Sequence, residues 1–382
     1  METSILEKHT TPFYYYDMDL LSRTLDTCKA EANKYNFHVH YALKANANTE
    51  ILQAIQSRGF GADCVSGNEV LSAVKTGFEK SQIVFAGVGK SDKEINDALE
   101  ANIFCFNVES KQELDIINEL ALAKSQIAKV ALRINPNVNA HTHHYITTGL
   151  EENKFGINHW ELESVLEQLS HLTNIQLIGL HFHIGSQITD LSVFKSLCIK
   201  VNEYVKWFED QMQTIHIINV GGGLGIDYVN PDEHAIPDFE AYFKLFHQFL
   251  EVKPHQEVHF ELGRALVAQC GTLISKVLYI KEGLQTYFAI LDAGMTELLR
   301  PALYQAYHKI ENISNQHSTE KKKYDVVGPI CESSDCFGKA VELPLTKRGD
   351  YMAIRSAGAY GEVMRSKYNL REANPSFYSY KL

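Results

Sequence analysis

A chain of 382 residues with 36 basic and 47 acidic side chains, net charge -11, exceeds the usual single-domain size and favours one large core with a smaller companion. The charge is spread without a basic block, which argues against nucleic acid or an anionic membrane as partner. No run approaches the ~18 apolar residues that could span a bilayer, and Met1-Glu2-Thr3-Ser4-Ile5 lacks a basic region leading into an apolar one, so a cytoplasmic setting is expected.

In chain order, a short aromatic strand is predicted over 10–16 (Thr11-Pro12-Phe13-Tyr14-Tyr15-Tyr16), then a helix near 20–34. From Phe37 onward strands and helices alternate with short turns, the signature of a parallel α/β fold. Phe37, Val39, Tyr41 and Leu43 recur with the period of two of a strand, and a helix follows over roughly 49–58. The strands predicted are 37–43, 60–64, 83–86, 103–108, 129–135, 175–183, 214–220 and 257–261. Ser110 with Glu113 reads as a capping box, and Gly59 and Gly77 as helix stops. Eight such units match a (β/α)8 barrel of the TIM type. An open doubly wound sheet fits less well, because no Gly-rich turn follows the first strand.

Beyond residue 265 the pattern changes to β-rich runs such as Gly271–Tyr279 and Tyr287–Leu291. They predict a second, mostly antiparallel β domain that includes the N-terminal strand. The expected division is a barrel over 18–265 and a β-sandwich or Greek-key-like domain from 1–17 and 266–382. Asn312-Ile313-Ser314 matches a glycosylation sequon, which chance explains best without a secretion signal. Seven scattered cysteines form neither a dense framework nor a CxxC pair and read as reduced, mostly buried thiols. His141, His143 and His144 have no Cys or acidic partner to complete a metal site, so no metal is expected and they read as a mobile loop after the fifth strand.

Chemistry in such a barrel sits at the C-terminal ends of the strands. The first strand ends in Lys44, the second in Asp63, and the sixth in His181-Phe182-His183-Ile184-Gly185-Ser186. The seventh ends in Gly221-Gly222-Gly223 and the eighth in Glu261-Leu262-Gly263-Arg264. Taken singly, His183 reads as a core histidine, the glycines as a tight turn and Glu261 as a surface partner of Arg264. Coincidence at five strand ends is far less probable than a common purpose. An amine held beside apolar neighbours loses part of its preference for the ammonium form and can condense with an aldehyde such as that of pyridoxal 5'-phosphate. Gly221, Gly222 and Gly223 expose backbone N–H groups, and with Gly263, Arg264 and the Ser186 hydroxyl they could ring a phosphate dianion, while His183 offers a flat face for stacking. A carboxylate at Glu261 would keep a pyridine nitrogen protonated and so favour loss of carbon dioxide, whereas an arginine there would weaken the electron sink.

These motifs, with Tyr41-Ala42-Leu43-Lys44-Ala45-Asn46, Asp292-Ala293-Gly294-Met295, Arg300-Pro301-Ala302-Leu303-Tyr304, Gly328-Pro329-Ile330-Cys331-Glu332-Ser333 and Gly358-Ala359-Tyr360-Gly361, stand in an order that resembles one family. The chain is similar, from about Thr11 to Asn369, to the fold-type III decarboxylases dependent on pyridoxal 5'-phosphate, in the alanine racemase and ornithine decarboxylase-like superfamily. Within them it looks most like the diaminopimelate decarboxylase family. The resemblance implies decarboxylation of meso-2,6-diaminopimelate to L-lysine and carbon dioxide, the last step of lysine biosynthesis, with Lys44 carrying the cofactor. It further implies His183 on the ring, Glu261 at the pyridine nitrogen, and Asp63, Ser186, Gly222, Gly223, Gly263, Arg264 and Tyr360 around the cofactor. Arg264, Arg300, Tyr304, Glu332 and Tyr360 would bind substrate, and Cys331 would act near the carbon that loses its carboxylate.

Two arginines and a carboxylate suit a substrate with two amino-acid ends, since each guanidinium can take a carboxylate in bidentate fashion. A decarboxylase acting on ornithine, arginine or a carboxylated polyamine such as carboxynorspermidine needs no distal arginine. A racemase is disfavoured by Glu261, and a non-catalytic pyridoxal-binding homologue by retention of Lys44 and Cys331. The family pattern Glu-Pro-Gly-Arg reads Glu261-Leu262-Gly263-Arg264 here, and Cys-Glu-Ser-Gly-Asp reads Cys331-Glu332-Ser333-Ser334-Asp335, so a positive φ at that turn would fall on Ser334. By the same resemblance, the loop after the fifth strand covers the pocket and Asn153-Lys154-Phe155-Gly156 closes it. A homodimer is also implied, with active sites shared across the interface and Cys331 and Glu332 supplied by the partner subunit.

Overall fold

Phe13–Tyr16 forms β1, and the strands expected from the two-residue alternation follow it. They are β2 (His38–Ala42), β3 (Gly61–Cys64), β4 (Ile83–Phe85), β5 (Cys105–Val108), β6 (Ala128–Arg133), β7 (Ile175–His181), β8 (Ile217–Asn219) and β9 (Glu257–Leu262). This computed structural model describes residues 6, 8–138, 154–316 and 318–379. His141, His143, His144 and Asn153 lie outside the described residues. Strands β2 to β9 close into a barrel. Closure is made by β2, whose Tyr41 stands opposite Ala62 of β3 and Leu262 of β9, both in parallel register. Parallel strands covered by helices are buried on both faces, which is why β3, β4, β5 and β8 are buried throughout.

Local chemistry sets the helix ends. Ser66 accepts the Glu69 N–H, and Ser91 with Glu94 forms a full capping box. The box expected at Ser110 forms only by half. Ser110 accepts the Glu113 N–H, but the Glu113 carboxylate takes the Glu109 N–H at 2.8 Å and the buried Lys90 ammonium at 2.6 Å. A buried amine needs a counter-charge, and that demand draws the side chain away from the cap. Gly59 and Gly77 stop their helices with φ of 68° and 96°.

Strands β10 (Gly271–Glu282), β11 (Tyr287–Leu291), β12 (Ile310–Asn312), β13 (Lys321–Val327), β14 (Cys336–Pro344), β15 (Tyr351–Ile354) and β16 (Phe377–Tyr378) follow. Their sheet runs in the order β12-β15-β10-β11-β13-β14, with β1 joined to β10 and β16. The pairing is antiparallel except at β1 with β16 and β11 with β13. The chain groups into two units, one of Met1–Thr24, Ile226–Pro237 and Arg264–Leu382, the other of Leu25–Gly225 and Asp238–Gly263. The segment Ile226–Pro237, which the sequence pattern leaves inside the barrel, thus belongs with the β unit. Arg355 of that unit holds it through Asp232, with Nη2 2.6 Å from Oδ1.

Asn312 is buried and donates to Asp350 and Thr346, so it is no glycosylation acceptor. Five of the cysteines are buried and Cys331 is exposed. Among the described residues no helix is long and apolar enough to cross a membrane.

Candidate active site

The barrel strands end on a group of charged side chains. Lys44 sits in the single 3-10 turn Leu43–Ala45 that leaves β2, and Asp63 stands one strand away, with Ala42 as its register partner. Lys44 Nζ lies 3.5 Å from Asp63 Oδ2. Among the described residues neither oxygen of this fully buried carboxylate has a hydrogen-bond donor closer than the Lys44 amine, and burial, reinforced by the Glu261 charge and opposed by Lys44, raises its pKa to about 7. Asp63 therefore changes charge in the neutral range, beside the amine expected to carry the cofactor.

Glu261 behaves in the opposite way. Its Oε1 accepts from Asn107 Nδ2 at 3.0 Å and Asn219 Nδ2 at 2.8 Å, and its Oε2 lies 2.9 Å from His181 Nε2. Burial alone would raise this carboxyl, but His181 and the Lys44 charge outweigh it and hold the group well below the usual carboxylate range. Three donors occupy three of roughly four lone-pair positions, leaving one for a further donor. A protonated ring nitrogen is the kind of group that would take it.

The turn after β8 is built for close approach. A Cβ at Gly222 would lie 1.9 Å from the Glu261 carbonyl oxygen, and one at Gly221 would lie 2.2 Å from that of Phe182. Gly221 and Gly223 also have φ of 68° and 110°, conformations that glycine adopts without strain. The Gly222 N–H points to His183 Nδ1 at 3.4 Å. Burial, with Arg133 and Lys44 adding to it, lowers the His183 pKa far below its ordinary value, so the ring is neutral and Nδ1 can accept. Ser186 follows, half-buried, in the same loop. Arg133 and Glu109, 2.8 Å apart and buried, frame this region, and Glu109 Oε2 also holds the Gly156 N–H at 3.0 Å.

In the β unit, buried guanidinium groups gather around one phenol. Arg264 Nη1 donates to Tyr228 Oη at 2.6 Å and Arg300 Nη1 donates to the same oxygen at 2.9 Å. Arg300 also donates to His308 Nε2 at 2.8 Å, while His308 Nδ1 faces the Arg355 carbonyl at 2.9 Å. Burial and the Arg300 charge bring the His308 pKa to about 3, so that ring remains neutral and can accept. Arg264 stacks 4.9 Å from the Tyr360 ring. Tyr360 itself has φ of 54°, a left-handed conformation costly for a side chain of its size. Tyr304 ends the short helix Arg300–Tyr304, half-buried. Arg300 is buried, only 6% exposed.

Cys331 and Glu332 are exposed on a turn of the same unit. The Cys331 N–H donates to Asn369 Oδ1 at 3.3 Å, and Glu332 Oε1 accepts from Tyr368 Oη at 2.6 Å. Ser334 does not adopt positive φ, so the loss of glycine there imposes no strain of the kind expected. Leu262 extends β9 by one residue, opposite Tyr41, where proline could not donate to the ladder.

Several of these side chains escape a reading of strand ends alone. His181, Asn107 and Asn219 hold Glu261, and Tyr228 and His308 hold the arginines. His181 stands two residues before His183 in the same motif, and the period of two puts both on one face. Tyr228 carries no local signal.

The barrel residues fit pyridoxal 5'-phosphate on their own chemistry. They combine a buried carboxylate beside an amine, an ionised glutamate with an acceptor position to spare, and a glycine turn that any Cβ would fill. Residues 19–268 match the family model described as pyridoxal-dependent decarboxylase, pyridoxal binding domain. A diaminopimelate decarboxylase of Bacteroides thetaiotaomicron is 57% identical over 373 residues, spanning 97% of this chain and 96% of that protein. One from Aquifex aeolicus is 39% identical over 366 residues, covering 94% and 84%. Among solved structures, diaminopimelate decarboxylase of Helicobacter pylori complexed with L-lysine superposes with a TM-score of 0.90 at 40% identity, covering 96% of this chain and 91% of that one. With Lys44, His183 and Glu261 at the strand ends and arginines 264 and 300 converging on Tyr228, the chain belongs to the diaminopimelate decarboxylase family of pyridoxal-dependent decarboxylases.

Proposed function

We propose that the chain, with pyridoxal 5'-phosphate on Lys44, decarboxylates meso-2,6-diaminopimelate at one end to give L-lysine and carbon dioxide. The bound cofactor supplies an electron sink for the pair left on the α-carbon when carbon dioxide departs. Glu261, kept ionised by His181, Asn107 and Asn219, favours the protonated state of a ring nitrogen placed against its open acceptor position. His183, neutral, lends a flat ring without adding charge. Asp63 takes or releases a proton near neutral pH beside the Lys44 amine, which can then pass between its ammonium and free forms. The glycine turn Gly221–Gly223, with Gly263 and Ser186, is suited to the phosphate.

The observation that carries the substrate assignment is the buried arginine pair on Tyr228. Two guanidinium groups held on one phenolic oxygen repel one another and favour an anionic ligand. A substrate whose far end keeps its carboxylate after reaction supplies that charge, and Glu332 would take the ammonium beside it. Ornithine and arginine have no such carboxylate. We also infer a two-fold homodimer in which Cys331 and Glu332 of the partner subunit complete each site, a reading supported by their exposure within their own chain.

Carbon dioxide release by the cofactor-loaded protein tests the assignment, with meso-diaminopimelate compared with L,L-diaminopimelate, ornithine, arginine and carboxynorspermidine. Reaction of the meso compound alone, with lysine appearing, is the expected result. Preference for a substrate lacking a distal carboxylate would overturn the role given to Arg300 and leave the Lys44, His183 and Glu261 assignments standing.

A further inference from the structure

Barrel interiors are ordinarily filled by branched apolar side chains, yet β2 and β9 carry His38, His40, Glu257 and His259 toward the strand ends opposite Lys44. The two strands pair in parallel, with His38 opposite His259 and His40 opposite Glu261. Room for the His40 ring comes from the neighbouring strand, because a Cβ at Gly61 would lie 2.3 Å from its Nδ1.

One carbonyl determines the tautomers. His40 Nδ1 lies 3.0 Å from the Gln82 carbonyl oxygen, which can only accept, so Nδ1 carries the proton. A ring with its proton on Nδ1 and its other nitrogen facing a second imidazole offers Nε2 as an acceptor. That Nε2 lies 2.8 Å from His259 Nδ1, so His259 donates there, and the neutral form of its ring keeps its lone pair at Nε2. His259 Nε2 lies 3.4 Å from Glu257 Oε2, and His38 Nε2 lies 3.7 Å from the same oxygen. The result is three electron-pair donors turned toward one another, with no proton assigned between them by this chain of tautomers.

We propose that His38, Glu257 and His259 form a binding site for a divalent transition metal, with zinc as the best match, at the N-terminal end of the barrel. Their ligand atoms all lie within 4.8 Å of one another. Tetrahedral zinc with bonds of about 2.0–2.2 Å separates its ligand atoms by about 3.4 Å, so small rotations of the two partly exposed side chains complete the geometry. His40 is a positioning residue. By accepting the His259 Nδ1 proton it orients the ring and selects the ligating nitrogen, as partners of metal-bound histidines commonly do. Two imidazoles and one carboxylate leave a coordination position for water. The metal would tie the first barrel strand to the last, where the barrel closes.

Calorimetric titration of the chelator-treated, cofactor-loaded protein with zinc chloride, and absorbance titration with cobalt chloride, test the proposal. One ion per chain and a rise in Tm with zinc are expected. His38→Asn and Glu257→Gln change side chains that are 40% and 53% exposed, so the fold tolerates them. Each should weaken binding by roughly tenfold or more, and His40→Gln by about 10–100-fold. A triple His141→Asn, His143→Asn, His144→Asn variant should bind as the parent does. The proposal is overturned by absence of stoichiometric binding, by binding that survives both His38→Asn and Glu257→Gln, or by binding lost in the triple variant. In the first case His259 and Glu257 form an ordinary ion pair around a proton.

Discussion

Arg264 and Arg300 share one phenolic oxygen, that of Tyr228, at 2.6 and 2.9 Å. The hydroxyl fixes both forks while its single proton is free to point elsewhere, and His308 takes a further donor from Arg300. Two positive groups are thus oriented on a single oxygen.

Tyr228→Phe removes that oxygen and keeps the ring. Hydrogen bonds to charged groups contribute about 1.5–3 kcal/mol, so KM for meso-diaminopimelate should rise roughly tenfold or more, with a smaller change in kcat. Steady-state kinetics separates the two, and an unchanged KM would count against a substrate role for the pair.

Glu261→Gln preserves shape but removes the charge, and its amide must face either the two asparagine donors or His181. Loss of an oriented electrostatic partner in a buried site typically costs about 10²–10³-fold in kcat. The same drop is expected here, with cofactor content retained by absorbance. Near-normal turnover would remove Glu261 from the chemistry.

Asp63 links stability to pH in the direction opposite to that of a paired surface carboxylate. Its folded pKa, raised to about 7, exceeds the ordinary value, so between about 4 and 7 the folded state binds more protons than the unfolded one. Stability from this group is present at low pH and declines as pH rises through that window. In the cofactor-free protein, the Tm of Asp63→Asn relative to the parent should therefore climb between pH 5 and pH 8. A constant difference would show that Asp63 is not perturbed in this way.

Sharing of sites across a homodimer predicts complementation. Lys44→Ala and Cys331→Ala chains, each inactive alone, should regain about a quarter of parental activity per site when mixed, because some mixed dimers hold one intact site. No recovery after subunit exchange, verified by mass or labelled chains, would reject the shared-site arrangement.

Eight β/α units and a β-rich continuation were legible because strand and helix periods and turn residues are local properties of the chain. The strand-end positions of Lys44, Asp63, His183 and Glu261 followed from those periods, since an end is where alternation stops. Partner choice was not legible in the same way. Asn107 is 154 residues from Glu261 in the chain, and Tyr228 is 72 from Arg300, so only closure of the barrel and packing of the β unit select them. Glu113 shows the same limit on a smaller scale, because Lys90 draws its carboxylate from the cap that the spacing predicts. The segment Ile226–Pro237 left the barrel because Asp232 finds Arg355, 123 residues away. By itself the sequence determined which residue types stand at which strand ends, through local periodicity. Tertiary structure alone decided which charges are paired, which are buried and which way each histidine proton points, because those depend on neighbours brought together by folding.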